Sequence, residues 1–270
     1  MNSSDIAFSG TIPENYDTYL GPLLFEPYAQ DLVSRIPSTN ISSALEIACG
    51  TGRTTKYLRD FLPTSVSLVA TDLNPDMLSV AKKRVIGKNL SWQVADFLEL
   101  PFEDRSFDLV VCQFGLMFVP DKLKALQEVY RVLKPEGCFL FNTWDRLENN
   151  RLFYVGQEIL NRFFKDEAPT FYHTPYSMHD MQEMGLLMGK AGFKDSEIVL
   201  AKKEGIIESA ADAARGMLEG NPVFIALSEK DPTILPSLKL EFEKTFAAEF
   251  GDHPLRTQLQ AWVGKAWKIS

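Results

Sequence analysis

The chain predicts an α/β fold: a doubly wound, mostly parallel seven-stranded sheet with an N-terminal helical lid and a helical insertion near the C-terminus. Three observations carry this. From Ile41 onward short apolar runs alternate with stretches of helical periodicity, the pattern of βαβ units on a parallel sheet. One apolar run ends in Gly50-Thr51-Gly52 and passes straight into a helical pattern, and an acid, Asp72, closes the next run 22 residues after Gly50.

The strands are predicted at Ala44–Cys49, Val66–Thr71, Leu90–Val94, Phe107–Cys112 and Cys138–Thr143, with two more at Glu197–Lys203 and Arg256–Lys268. In Asp72-Leu73-Asn74-Pro75, Asn74 is placed to cap a helix that begins at Pro75 and runs to about Arg84. A second helix runs from Asp121 through Leu123, Leu126, Val129 and Leu133 and stops at Lys134-Pro135, where proline cannot continue it. Residues 150–165 read as an amphipathic helix and Ala168–Ser177 as an aromatic-rich loop. Met178–Lys190 reads as a helix capped by Ser177, with Gly192 past its end. Mostly helical sequence separates the last two strands. The resulting layout is a helical segment at 1–40, a ligand-binding α/β core at 41–145, and a cover with the last strands and insertion at 146–270.

Composition narrows the function. Of 270 residues 45% are hydrophobic, an ordinary globular value. No apolar run approaches the roughly 18 residues that span a bilayer. The net charge is −8, and residues 1–34 hold five acids and no Lys or Arg. Strong binding to nucleic acid is therefore not expected. The first basic residue is Arg35, so a charged leader is not expected either and a cytoplasmic address follows. Cys49, Cys112 and Cys138 are odd in number and widely spaced, which predicts reduced core residues and no metal site.

The glycine turn indicates a ligand. A strand that enters Gly-x-Gly and then a helix lets the backbone turn tightly and a ligand approach closely. Asp72 at the end of the second strand is placed to accept hydrogen bonds from a ribose, so the pair points to an adenosine-type ligand. A dinucleotide site wants a third small residue at position 55, which here is Thr55, and Glu46 lies inside the strand four residues before Gly50. An acid there would repel a pyrophosphate and favour a cationic amino acid or sulfonium, which shifts the reading from NAD to S-adenosylmethionine.

In these residues the sequence resembles the class I S-adenosylmethionine-dependent methyltransferases, most closely their type 11 branch of small-molecule enzymes. The resemblance is carried by Glu46-Ile47-Ala48-Cys49-Gly50-Thr51-Gly52, Thr71-Asp72-Leu73-Asn74-Pro75-Asp76-Met77, Ala95-Asp96-Phe97, Phe107 to Phe114 and Arg131 to Gly137. It implies a Rossmann-like sheet and S-adenosyl-L-methionine as cofactor. Backbone at Ala48, Gly50 and Gly52 would line the methionine part, with Glu46 orienting that loop or the ammonium. Asp72 would hold the ribose, with Leu73 on the adenine face and Met77 nearby. Ala95, Asp96 and Phe97 would read the adenine edge, and Gln113 and Phe114 would border the ammonium and the methyl group. Tyr16 and Tyr19 fall where the family folds a helix over the cofactor.

Methyl transfer from a sulfonium is an in-line displacement that needs a base only if the acceptor loses a proton. His173, in Phe171-Tyr172-His173-Thr174-Pro175-Tyr176, is the best of the three histidines for that role, its plainer reading being a surface loop residue. The expected acceptor is a small molecule. Two other readings stay open from sequence: an NAD-dependent oxidoreductase, and a protein that binds the cofactor without turnover.

Overall fold

A computed structural model describes residues 10–230 and 232–269, which form two compact units. One comprises residues 10–27, 145–177 and 202–260; the other comprises 28–144, 178–201 and 261 onward. The three linear segments 1–40, 41–145 and 146–270 do not map one to one onto these units. Residues 1–9 of the first segment lie outside the described residues.

Seven strands form one sheet: β1 (Ser43–Ile47), β2 (Ser67–Asp72), β3 (Leu90–Val94), β4 (Phe107–Gln113), β5 (Leu133–Trp144), β6 (Asp195–Ile207) and β7 (Leu255–Trp267). Their order is β3-β2-β1-β4-β5-β7-β6. The first five run parallel, and β7 joins β5 antiparallel with Cys138 opposite Trp267 and Trp144 opposite Ala261. The chain winds outward on both sides of β1 and β4, so the strand order reverses between them, and in such sheets ligands bind outside the carboxyl ends of the strands at that point. The centre is fully buried: Leu45 on β1, Leu109 and Val110 on β4, and Phe139, Leu140 and Phe141 on β5.

The helices of this unit are α2 (Glu26–Ser34, its first two residues in the other unit), α3 (Arg53–Phe61), α4 (Pro75–Arg84), α5 (Lys122–Val132) and α7 (Met181–Ala191), which follow α1 (Ile12–Asn15) in chain order with α6 (Arg151–Phe164) between α5 and α7. Asn74 caps α4 by accepting the Asp76 N–H at 2.8 Å, and Asp121 caps α5 by accepting the Lys124 N–H at 2.9 Å. Helix α7 departs from expectation. Its cap is Asp180, whose carboxylate accepts from Gln182 and Glu183, because residues 173–177 are spent on successive tight turns. Strand β5 begins at Leu133 and not at Cys138, since Leu133 pairs with Phe107 and an irregularity in register carries the strand past Pro135. Asp108 anchors the entrance of β4 through both serines, Ser42 and Ser43, and Lys134 at 3.0 Å. Burial acts to raise its pKa, but those hydrogen bonds outweigh it and hold the carboxyl well below the usual range.

The other unit is helical. A wide π-type helix, Tyr16–Phe25, follows α1 and packs on α8 (Ala210–Glu219), which also meets α10 (Leu235–Phe250); α9 (Val223–Lys230) lies between them in sequence. Close approach is possible because Gly216 has no side chain: a Cβ there would lie 2.8 Å from both Leu20 and Tyr19. Phe153 and Tyr172 meet edge to face at 5.5 Å, and the Tyr172 hydroxyl donates to the Met217 carbonyl at 2.6 Å. No helix among the described residues is long and apolar enough to cross a membrane.

Candidate functional site

The sheet gathers most of the residues singled out above at the carboxyl ends of β3, β2, β1 and β4. The turn after β1 is strongly bent: Ala48 and Gly50 both have φ of 54° and Gly52 has φ of 80°. The Cys49 N–H donates to the Thr71 carbonyl at 2.9 Å and the Gly52 N–H to the Cys49 carbonyl at 3.0 Å, closing the turn. The two glycines serve different ends. A Cβ at Gly52 would stand 3.0 Å from the Cβ of Ala81, so Gly52 lets α3 start against α4. A Cβ at Gly50 would meet nothing within 4 Å, so that position is open toward an incoming group. Gly52 also gives α3 no side-chain cap, which leaves the N–H groups of its first turn without that partner.

Two carboxyls flank the turn. Asp72 accepts the Gly50 N–H at 2.8 Å on one oxygen and the Asn74 N–H at 2.9 Å on the other. Each oxygen keeps a lone pair for a further donor such as a ribose hydroxyl. Its pKa is raised by burial, against the lowering effect of those backbone N–H groups. Glu46 is 1% exposed, and its Oε2 has no hydrogen-bond partner. Burial pushes its pKa up to about 8; the Thr55 hydroxyl beside it lowers the value without a hydrogen bond of ordinary geometry, and the Asp72 charge raises it further. Glu46 is therefore a neutral acid at pH 7, ready to ionise when a cation arrives. Thr55, read from sequence only as a poor fit to a dinucleotide, is fully buried beside it.

Leu73 follows Asp72 and is 59% exposed, an apolar surface at the end of β2, while Met77 is buried in α4. The Ala95 N–H donates to the Asp72 carbonyl at 3.1 Å, which ties the end of β3 to that of β2. Ala95 and Phe97 are buried; Asp96 between them is exposed and caps its own turn by accepting the Leu98 N–H at 2.8 Å. At the end of β4, Gln113 is half-buried, and Phe114 has φ of 52° with its ring 5% exposed. That ring stacks on Trp144 with centroids 3.9 Å apart, and Tyr28 meets both edge-on. The Phe114 ring is thus committed to packing. The sequence reading did not find Tyr28, Asn142, Trp144 or Gly115. The available signal was Asn142, a lone amide in the apolar run Cys138–Trp144.

Tyr16 and Tyr19 lie in the helical unit, where Tyr16 stacks on Phe25 at 4.8 Å and the Arg215 guanidinium sits 5.0 Å from the Tyr19 ring centre. His173 is exposed in the same unit, at the end of a short 3₁₀ turn, Phe171–His173.

Residues 45–141 match the type 11 methyltransferase-domain family. Demethylmenaquinone methyltransferase of Lactobacillus johnsonii is 42% identical over 98 residues, covering 35% of this chain and 40% of that protein. Ubiquinone/menaquinone biosynthesis C-methyltransferase UbiE of Rickettsia prowazekii is 40% identical over 146 residues, 51% of this chain and 55% of that one. The chain thus spans about half the length of the curated relatives it matches. Phosphoethanolamine N-methyltransferase 2 of Haemonchus contortus, solved with S-adenosyl-L-methionine, shares the fold with a TM-score of 0.61 at 18% identity, covering 97% of this chain and 58% of that one. Motifs, sheet order and family match agree: over residues 45–141 the chain is similar to the methyltransferase domains of the type 11 family.

Proposed function

We propose that the protein is an S-adenosyl-L-methionine-dependent methyltransferase acting on a small-molecule acceptor. The observation that carries this reading is Glu46, a buried acid with an unpartnered oxygen beside the glycine turn. A pyrophosphate there would keep Glu46 protonated and gain no counter-charge from it, whereas an ammonium would ionise Glu46 and satisfy its unpartnered oxygen. When bound, S-adenosyl-L-methionine supplies a methyl group activated on a sulfonium.

The chain's own residues bind and orient. Glu46 gives up its proton and takes the ammonium charge, while Ala48, Gly50 and Gly52 present backbone. Asp72 accepts ribose hydroxyls without releasing the Gly50 turn. Leu73 offers an apolar face to adenine, Asp96 with the Phe97 N–H reads the adenine edge, and the buried Met77 and Ala95 join them on the resemblance. Gln113 and the Phe114 backbone border the reacting end. Tyr16 and Tyr19 enter as cofactor contacts on the resemblance alone. Because the transfer is a displacement, alignment and exclusion of water do the work, and a base such as His173 is called on only for an acceptor that must lose a proton. The net charge of −8 favours small acceptors over nucleic acid, and three free, buried cysteines accord with a reducing cytoplasm. The test is a mass-spectrometric screen of small molecules incubated with protein and cofactor. A gain of one methyl group on an acceptor supports the reading; cofactor binding with no methylated product in any extract favours a sensor.

A further inference from the structure

We propose that Asn142 is a positioning residue for the cofactor turn, acting through the backbone of Phe114 and the missing side chain of Gly115. This rests on the cofactor reading above and adds a residue that no motif of the family match singles out.

The chain of contacts is short and lies within the sheet unit. Asn142 is fully buried on β5, in register with Gln113 at the end of β4. Its Oδ1 accepts the Phe114 N–H at 2.9 Å, and its backbone carbonyl accepts the same N–H at 3.2 Å. Phe114 is held by this double acceptor at φ of 52°, a left-handed conformation that a bulky non-glycine residue adopts only when its surroundings impose it. The next residue is Gly115, where a Cβ would come within 2.5 Å of the Ala48 Cβ and 2.9 Å of the Cys112 sulfur. Ala48, with φ of 54°, is the first bent residue of the glycine turn. Two left-handed bends, one ending β1 and one ending β4, therefore press on each other at Ala48 and Gly115. Asn142 fixes where the second bend stands.

The other end of the amide argues that this role is not stability. Asn142 Nδ2 is buried with no hydrogen-bond partner, an arrangement that costs free energy. Turning the amide over would bring its NH₂ against the Phe114 N–H, two donors face to face, so Phe114 sets its orientation. The Phe114 N–H is already satisfied by the backbone carbonyl, so a leucine of similar size at 142 orphans no donor and removes the unpartnered NH₂. Leucine loses only the second anchor on the Phe114 bend. An aspartate at 142 keeps an acceptor toward that N–H.

The experiment compares wild type, Asn142→Leu and Asn142→Asp by thermal melting and by calorimetric titration with S-adenosyl-L-methionine, with kcat and KM where an acceptor is in hand. The proposal expects N142L to melt no lower than about 2 °C below wild type. It expects N142L to bind the cofactor at least about tenfold more weakly, and N142D to stay within about threefold of wild type. A well-folded N142L that binds as wild type does overturns it, as does an N142D as weak as N142L. An N142L that melts far below wild type makes Asn142 a stability residue and also overturns it. The wild-type titration separates the two claims: no binding there overturns the cofactor reading and this inference together, whereas binding there with unaltered N142L overturns this inference alone.

Discussion

The carboxylate of Asp72, at the end of β2, accepts the backbone N–H of Gly50 at 2.8 Å, so the residue assigned to the ribose also holds the turn assigned to the methionine part. The contacts proposed for the two ends of the cofactor would thereby be coupled through one side chain. Asp72→Ala should lose this bond and the one from Asn74, costing about 2 kcal/mol of stability, as hydrogen bonds to charged groups do. It should also weaken cofactor binding more than tenfold. Chemical denaturation and calorimetry on the same variant check the pair of effects.

The two glycines of the turn should separate stability from binding. At Gly52 an alanine Cβ meets Ala81 at 3.0 Å, so Gly52→Ala should lower the melting temperature clearly. At Gly50 the Cβ finds open space, so Gly50→Ala should cost only about 1 kcal/mol, for the left-handed backbone. It should abolish most cofactor binding, since the methyl group would stand where the proposed ligand approaches. Equal binding losses at matched stability in the two variants would contradict the assignment.

Glu46 makes a pH prediction. Its pKa rises from 4.5 to about 8 on folding, chiefly through burial, with Asp72, Cys49 and Cys112 as the titratable neighbours coupled to it. The folded chain therefore holds this proton more tightly than the unfolded chain does. The contribution of Glu46 to stability should be fullest below pH 4.5, fall as the pH rises toward 8, and level off above. Glu46→Gln should flatten that part of the stability profile. Cofactor affinity in the wild type should rise with pH between about 6 and 7.5, because binding a cation expels the proton; Glu46→Gln should bind weakly with no such slope.

His173 is exposed and stands in the helical unit. Its replacement by alanine should change stability by less than about 0.5 kcal/mol and leave cofactor affinity unchanged. The pH profile of kcat with a methylated acceptor decides its role: an unaltered profile makes it a surface residue, and loss of one limb in the alanine variant makes it the base.

Local rules carried the sequence reading far where a single residue decides an outcome. Asn74 and Pro75 start α4, Asp121 starts α5 and Gly192 ends α7 at φ of 112°, each as its chemistry dictates. Asp72 and Glu46 stand out in the sequence as acids in or at the end of apolar strands, and the structure places Asp72 on the Gly50 N–H and buries Glu46. Position 177 misled because a serine before a helical pattern resembles a cap, while the real cap, Asp180, offers a carboxylate that satisfies two N–H groups. The start of β5 was missed because pairing with Phe107 across an irregular register outweighs the local signal of Pro135. Asn142 shows in the sequence only as a lone amide in an apolar run and Gly115 not at all, because their contacts exist only once β4, β5 and the β1 turn are side by side.

Calorimetric titration of the wild-type protein with S-adenosyl-L-methionine, S-adenosylhomocysteine and NAD tests the central claim most directly. The first two should bind with proton release near pH 7, and NAD should not bind. Binding of NAD alone, or of none of the three, would contradict it.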